Sequence, residues 1–143
     1  MSETSLLLRA KAAGRDILLP MSGLREVVAL APITPLPGGP PGIQGVVLYQ
    51  GEFLPVLDWT ALQGCPARLE SAVAMAVLMP RLGLPLEGLT GTLEAPEEGW
   101  SDPAEGDPWA PILAKVCRVG GEELALLDPD HLLALLHRLR KDR

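Results

Sequence analysis

Aromatic side chains are scarce in this sequence, since Phe, Trp and Tyr together make up only 3% of its 143 residues. Proteins that bind single-stranded nucleic acid usually stack bases on such rings. The net charge of −6 also disfavours a nucleic-acid backbone or an anionic membrane surface as the main partner. We therefore expect a core of Leu, Val and Ala, and no nucleic-acid partner.

Cysteine and histidine are rare as well, with two of each. Cys65 and Cys117 lie far apart without CxxC spacing, so we interpret them as free thiols of a cytoplasmic protein in preference to a disulfide. His131 and His137 point in different directions on a predicted helix, which argues against a shared metal ion. The sequence also lacks a phosphate-binding glycine loop and a hydrolase elbow. We predict no enzyme, no cofactor and no metal site.

Long apolar runs are missing too, and none reaches the roughly 20 residues of a membrane-spanning helix. The N-terminal sequence MSETSLLLRAKAAG has three leucines before Arg9, which does not fit a secretory signal. We expect a cytoplasmic protein with no direct membrane insertion. Its length suits a single domain, residues 1–143, that buries a core without disulfides or metal.

The most informative stretch is residues 35–58, PLPGGPPGIQGVVLYQGEFLPVLD. Its Pro/Gly-rich start cannot be helical, because proline lacks a backbone N–H and restricts the residue before it. Two apolar runs then flank Gln50-Gly51-Glu52, which predicts a β-hairpin. Both strands are almost wholly apolar, so we expect both faces to be covered. Pro55 predicts an edge, a bulge or a strand start.

Most of the remaining chain also predicts strands. The patterns fall at residues 5–11, 16–19, 72–79, 82–93, 112–118 and 123–127. A helix is the second choice for residues 72–79, and residues 24–30 fit either a helical turn or a strand. Leucines at helical spacing, Leu132, Leu135, Leu136 and Leu139, predict an amphipathic C-terminal helix.

Asp58 and Asp128 each stand where a strand passes into a helical segment. We interpret both as N-caps rather than as a catalytic carboxylate pair. Gly64 is the predicted stop of the first of these segments.

The segment of residues 94–111, EAPEEGWSDPAEGDPWAP, is acidic and rich in proline. Its composition predicts a solvated loop. Trp100 and Trp109 do not fit that picture, because indoles gain little from exposure to water. Either they pack the segment onto the fold, which we favour, or they offer an anchor to a partner.

The sequence ITPLPGGPPGIQGVVLYQGEFLPVLDWTALQG resembles the middle of the CheW-like domain, the adaptor module of bacterial chemotaxis complexes. The closing LLDPDHLLALL also resembles the family's C-terminal pattern. Gln50 stands where the family has an arginine. The resemblance rests in the middle segment on Pro37, Gly45, Gly51, Pro55, Val56 and Asp58.

The resemblance implies a mainly β fold of two intertwined five-stranded SH3-like β-barrels with a short C-terminal helix. It implies a non-enzymatic scaffold that couples chemoreceptors to a CheA-type histidine kinase. The expected partners are the chemoreceptor helical hairpin tip and the regulatory domain of the kinase. The candidate partner-binding residues are Leu24, Glu26, Gln44, Gly45, Gln50 and Gly51.

Gln50 leaves three possibilities open, because an amide can hydrogen-bond the Glu26 carboxylate but removes the charge-assisted part of that contact. The chain could serve chemotaxis with an altered receptor preference, it could be the adaptor of a divergent pathway such as type IV pilus twitching motility, or it could be a copy that has lost one partner. A self-assembling structural β-barrel protein and a small β-barrel enzyme using Asp58 or a cysteine are the alternatives from other classes.

Overall fold

The computed structural model describes residues 6–61, 72–79 and 81–141, which form a mainly β protein. The strands of the described residues are β1 (Leu6–Ala12), β2 (Arg15–Pro20), β3 (Leu24–Ala29), β4 (Thr34–Pro35), β5 (Ile43–Tyr49), β6 (Glu52–Leu57), β7 (Ala74–Leu78), β8 (Leu82–Leu86), β9 (Gly88–Glu94), β10 (Trp100–Ser101), β11 (Leu113–Val119) and β12 (Glu122–Leu127). Helix α1 (Pro129–Lys141) follows, and short 3-10 helices occupy Met21–Gly23, Trp59–Ala61 and Ala110–Ile112.

These strands form two six-stranded sheets. The first sheet has the order β10-β11-β12-β2-β1-β9, and the second has the order β3-β7-β8-β6-β5-β4. Each sheet exceeds the predicted five strands by one, and each includes one strand of two residues, β10 or β4. The chain starts in the first sheet, builds the second and returns to the first, so the two sheets are intertwined in sequence. Closure of each sheet into a barrel stays a prediction.

The main core lies between the two sheets. Alternate residues of a strand point to opposite faces, so β2 sends Ile17 and Leu19 into this core, while β7 contributes Ala76 and Leu78. The leucines of β8 and Leu132 of α1 complete the same cluster. The prediction of a core made from aliphatic side chains is confirmed.

The far face of each sheet carries a smaller core. Leu18 of β2 belongs to the one on the first sheet, and Met75 and Val77 of β7 belong to the one on the second. Strands that are covered on both faces need no polar alternation, which is why β7 and the Ile17–Leu19 part of β2 are continuous apolar runs in the sequence. The prediction of a buried strand at residues 72–79 is confirmed for its centre, Ala74–Leu78, whereas Val73 and Met79 at its ends are exposed.

Tight turns join three of the hairpins. Gln50 and Gly51 both have positive φ, at 49° and 78°, and connect β5 directly to β6. Two-residue turns with this geometry are type I′, which suits the twist of the strands they join. Ala13-Gly14 and Gly120-Gly121 adopt the same conformation between β1 and β2 and between β11 and β12.

Pro55 lies inside β6, a strand with neighbours on both sides, so it is neither at an edge nor at a strand start, two of the three predicted positions. The third, a bulge, lies close by, because the register of β5 on β6 shifts between Ile43 and Gly45, and Gly45 pairs with the neighbouring Val56. The ladder between β6 and β8 consists of the single pair Val56–Gly83. A proline can be accommodated there because few hydrogen bonds are formed on that side of β6.

The segment of residues 94–111 is more structured than its composition predicts. It contains β10, and Trp109 near its end is 4% exposed and stacks on Trp59, with ring centroids 5.0 Å apart. Trp100 is half-buried against the smaller core of the first sheet and donates its indole N–H to the Pro96 carbonyl. The favoured interpretation, that the indoles pack the segment onto the fold, is confirmed for Trp109.

Asp58 and Asp128 both cap the helical segments that follow them, as predicted. The Asp58 side chain accepts the backbone N–H of Thr60 at 2.9 Å, and that of Asp128 accepts the backbone N–H of Asp130 at 2.9 Å. These contacts satisfy donors that the first helical turn leaves unpaired. The predicted stop at Gly64 and the thiol of Cys65 lie outside the described residues.

Candidate functional site

A polar cluster lies at the tip of the β5–β6 hairpin, where it meets β3. Gln50 donates from Nε2 to Oε2 of Glu26 at 3.3 Å. The hydroxyl of Tyr49 donates to the same carboxylate oxygen. Two of the predicted site residues, Glu26 and Gln50, are thus brought into contact, and the amide keeps the hydrogen bond to the carboxylate without the charge of an arginine.

The contact with Glu26 changes the titration of Tyr49. Its hydroxyl proton is held by a carboxylate, and partial burial and the negative charge of Glu26 oppose formation of a tyrosinate. These effects raise the pKa of Tyr49 above its ordinary value, although the nearby Arg25 cation acts in the opposite direction.

Arg25 and Tyr49 belong to this cluster but are not among the predicted site residues. Nη2 of Arg25 donates to Oε1 of Gln50 at 2.9 Å, and its guanidinium carbon lies 5.9 Å from the centre of the Tyr49 ring. Gln50 therefore bridges a cation and an anion, with its carbonyl towards Arg25 and its amide N–H towards Glu26. Both orientations follow from the polarity of the amide group.

A β-bulge explains how neighbouring residues reach the same hairpin. In a regular strand Arg25 and Glu26 would point to opposite faces. The register of β3 on β7 shifts between Leu24 and Glu26, so Arg25 is the extra residue of the bulged strand. No sequence pattern in residues 24–30 signals this shift, and the arginine therefore looks like an ordinary exposed residue.

The cluster borders a shallow depression of about 220 Å³. Its lining includes Arg25, Tyr49, Gln50, Glu52 and Arg81, together with Leu54 and Val77. Arg81 and Glu52 form an ion pair with each other. Glu26 is occupied by two donors, so the guanidinium of Arg25 is the cation of this lining that has no carboxylate partner among the described residues.

The other predicted site residues lie apart from this cluster or have roles in packing and backbone geometry. Gln44 and Gln50 are separated by six residues of the hairpin strand, which corresponds to about 20 Å. The side chain of Gln44 donates to the Leu57 carbonyl at 2.9 Å and lines a separate apolar groove beside Pro35. Leu24 is half-buried and packs against the main core.

The two predicted site glycines both have structural roles in the backbone. A Cβ on Gly45 would lie 2.3 Å from the carbonyl oxygen of Thr34, so a side chain would collide with β4. Gly51 has space around it but holds a φ of 78°, which glycine adopts without strain. A role of either glycine in binding a partner stays a prediction.

The opposite face of the same hairpin exposes an apolar pair. Leu48 and Phe53 are cross-strand neighbours, and they are 65% and 71% exposed. The expectation that both faces of the hairpin are covered is wrong here, because alternation turns Val47 and Leu54 inward and leaves their neighbours outside the contact between the sheets. Exposed apolar side chains next to each other are typical of interaction surfaces.

Among the residues that the structure describes, the candidate catalytic groups do not converge. Cys117 is a buried free thiol, and burial raises its pKa, which disfavours the nucleophilic thiolate. His131 lies 3.4 Å from the carboxylate of Asp128, within the capped start of α1. The part of the chain that the structure describes holds no group of three or more His, Cys, Asp or Glu side chains that could bind a metal ion. None of its helices is long and apolar enough to span a membrane.

The fold and the hairpin define a small double-sheet domain with one polar cluster and one exposed apolar pair at the hairpin tip. The family model of the CheW-like domain matches residues 6–137, and the chain belongs to that family. The solved structure of the scaffolding protein TtCheW from Thermoanaerobacter tengcongensis has a similar fold, with a TM-score of 0.76. The two sequences are 16% identical, and the match covers 90% of this chain and 87% of that one. The comparison with curated proteins gives no match.

Proposed function

We propose that this chain is a non-enzymatic adaptor that couples chemoreceptors to a CheA-type histidine kinase. The observation that carries the proposal is the match of the CheW-like family model to residues 6–137, which supports a chemotaxis-type scaffold. A cytoplasmic location would bring such an adaptor to the signalling ends of membrane receptors. The domain would act by contact alone, through surfaces that hold two partners at once.

The β5–β6 hairpin offers two surfaces of different chemistry for this role. One is the polar cluster of Arg25, Glu26 and Gln50, which we assign to the helical hairpin tip of the receptor. The other is the apolar pair of Leu48 and Phe53, which we assign to the regulatory domain of the kinase. Exposed aromatic and aliphatic side chains contribute most to affinity when a partner removes them from water.

Titration of the purified chain with two separate probes tests the proposal. The probes are a signalling hairpin fragment of a chemoreceptor and the regulatory domain of a CheA-type kinase. We expect binding to each, and ternary complexes when both are present. Absence of binding to both would contradict the proposal, and concentration-dependent assembly of the isolated chain without either probe would favour a self-assembling protein instead.

Phe53→Ser separates the two surfaces. It removes the larger member of the apolar pair, and we expect it to weaken binding of the kinase domain about tenfold or more, as truncation of a buried interface anchor does. Binding of the receptor fragment should be unchanged. Val73 is 63% exposed and lies outside this pair, so Val73→Ser is the matched control.

A further inference from the structure

Arg25 differs from most cations of the described chain in having no carboxylate partner. Arg9, Arg15, Arg81, Lys115 and Arg118 each form at least one ion pair. Like Arg25, Lys11 and Arg138 form no ion pair with another described residue. Within the described ranges, no hydrogen bond or ring contact holds either of those two side chains in place. Arg25 therefore combines an unpaired charge with a fixed position.

The position is fixed by two independent contacts. Gln50 accepts one N–H of the guanidinium, and the Tyr49 ring lies within cation–π distance. A guanidinium carries five N–H donors, so most of its hydrogen-bonding capacity stays open. Immobilising the side chain in advance reduces the entropy that a partner would have to offset on binding.

We propose that Arg25 is a recognition residue that binds an acidic side chain, Asp or Glu, of the receptor helical hairpin. The inference rests on the proposed function and names the partner group at that site. Gln50 acts as a positioning residue, because it orients the guanidinium and at the same time holds Glu26. The cluster thus keeps a positive charge at the hairpin tip, supplied by β3 instead of by the turn.

The charges around the depression favour a single carboxylate as the group that binds to Arg25. The depression contains one unpaired cation, with the carboxylates of Glu26 and Glu52 nearby. A phosphate-rich polymer needs several cations that act together, and the whole chain carries a net charge of −6. One carboxylate on a helix surface matches one guanidinium in charge and in geometry.

Binding of the receptor signalling fragment at low and moderate salt tests the role of Arg25. Arg25→Gln should weaken the complex about fivefold at low salt, and the loss should shrink as salt rises, as for a partly exposed ion pair. Lys11→Gln removes an unpaired cation elsewhere and should leave the affinity within about twofold of the wild type. Thermal unfolding of both variants should match that of the wild type.

A double variant tests whether the positive charge of residue 25, and not an indirect effect on the fold, supports receptor binding. Arg25→Gln combined with Gln50→Arg moves the guanidinium to the turn, and we expect it to recover the affinity and the salt dependence of the wild type. Loss in Arg25→Gln without recovery in the double variant would overturn the inference, as would equal binding of Arg25→Gln and wild type. If the wild type itself binds no receptor fragment, the proposed function fails and this inference fails with it.

Discussion

Trp59 and Trp109 stack at an interplanar angle of 12° and join the two sheets of the protein. Trp59 follows β6 of the second sheet, and Trp109 precedes β11 of the first. Trp59 also donates its indole N–H to the Pro85 carbonyl at 2.9 Å. With so few aromatic residues in the chain, this pair supplies a large share of the apolar area at one side of the main core.

Replacing Trp109 with Ala is therefore expected to be strongly destabilising. The change removes a buried indole, its stacking contact and the cation–π contact with Arg15, whose guanidinium lies 5.3 Å from the ring centre. We expect the free energy of unfolding to fall by about 3–5 kcal/mol. Urea denaturation followed by circular dichroism measures it. Trp100→Ala removes a half-buried indole and should cost clearly less, and equal losses would contradict the role given to the stack.

The ion pair between Asp107 and Arg15 should make the stability of the protein depend on pH. The Asp107 carboxylate makes two hydrogen bonds with Arg15, at 2.9 and 2.7 Å, which lower the pKa of Asp107, and the backbone N–H of Trp109 adds to this effect. A depressed pKa in the folded state means that the stabilisation is present above the unfolded pKa of about 3.9 and is lost as pH falls towards the folded value.

Asp107→Asn should lower the free energy of unfolding by about 2 kcal/mol at neutral pH, because it removes the closer of the two carboxylates that pair with Arg15 and leaves only Glu123 at 3.7 Å. The difference between variant and wild type should shrink as pH falls below about 4, where the unfolded chain binds a proton that the folded carboxylate still excludes. Asp102 is an exposed carboxylate paired with Lys115, and Asp102→Asn serves as the control with little effect. A difference that stays constant across this pH range would count against the ion pair.

Tyr49 is the single tyrosine of the chain, so its titration can be followed without interference. Its hydrogen bond to Glu26 raises its pKa, and we expect tyrosinate absorbance to appear above the ordinary value of about 10. A raised folded pKa gives stability that is present below the unfolded pKa and is lost as pH rises through the folded one. Glu26→Gln should shift the titration down towards the ordinary value, whereas Glu52→Gln should not.

Substitution of Gly45 tests whether the close approach of β4 restricts this position to glycine. Gly45→Ala places a methyl group against the Thr34 carbonyl, and β4 must move to make room. We expect a loss of about 1–3 kcal/mol in the free energy of unfolding, typical of overpacking. Gly88→Ala is the matched control, because a Cβ at that strand position meets nothing within 4 Å. Equal effects of the two substitutions would show that the close approach is not what restricts residue 45.

Leu24 is a less useful probe of partner binding than its place in the family pattern indicates. Its side chain is half-buried and packs against the main core, so Leu24→Arg would bury part of a charged group. We expect a measurable loss of stability along with any loss of receptor binding. Comparison of its unfolding midpoint with that of Arg25→Gln separates these two effects.

Much of the fold follows from local patterns. The hairpin around Gln50-Gly51, the paired strands around Gly120-Gly121 and the capped helix after Asp128 each depend on interactions between residues close in sequence. Turn chemistry, capping side chains and apolar periodicity act over a few residues, so a single sequence is enough to predict them. The contact between Glu26 and Gln50 was within reach through the family resemblance.

Tertiary structure decided the rest. The apolar pattern of β5 and β6 does not tell which of their residues pack against other parts of the fold. Leu48 and Phe53 belong to none of the core clusters and stay exposed, which only the long-range packing decides. Arg25 reaches Gln50 because β3 bulges on β7, a register shift that depends on strand pairing between residues about fifty positions apart. The sequence by itself determined the hairpin and its turn, whereas long-range packing determined which of its side chains stay exposed.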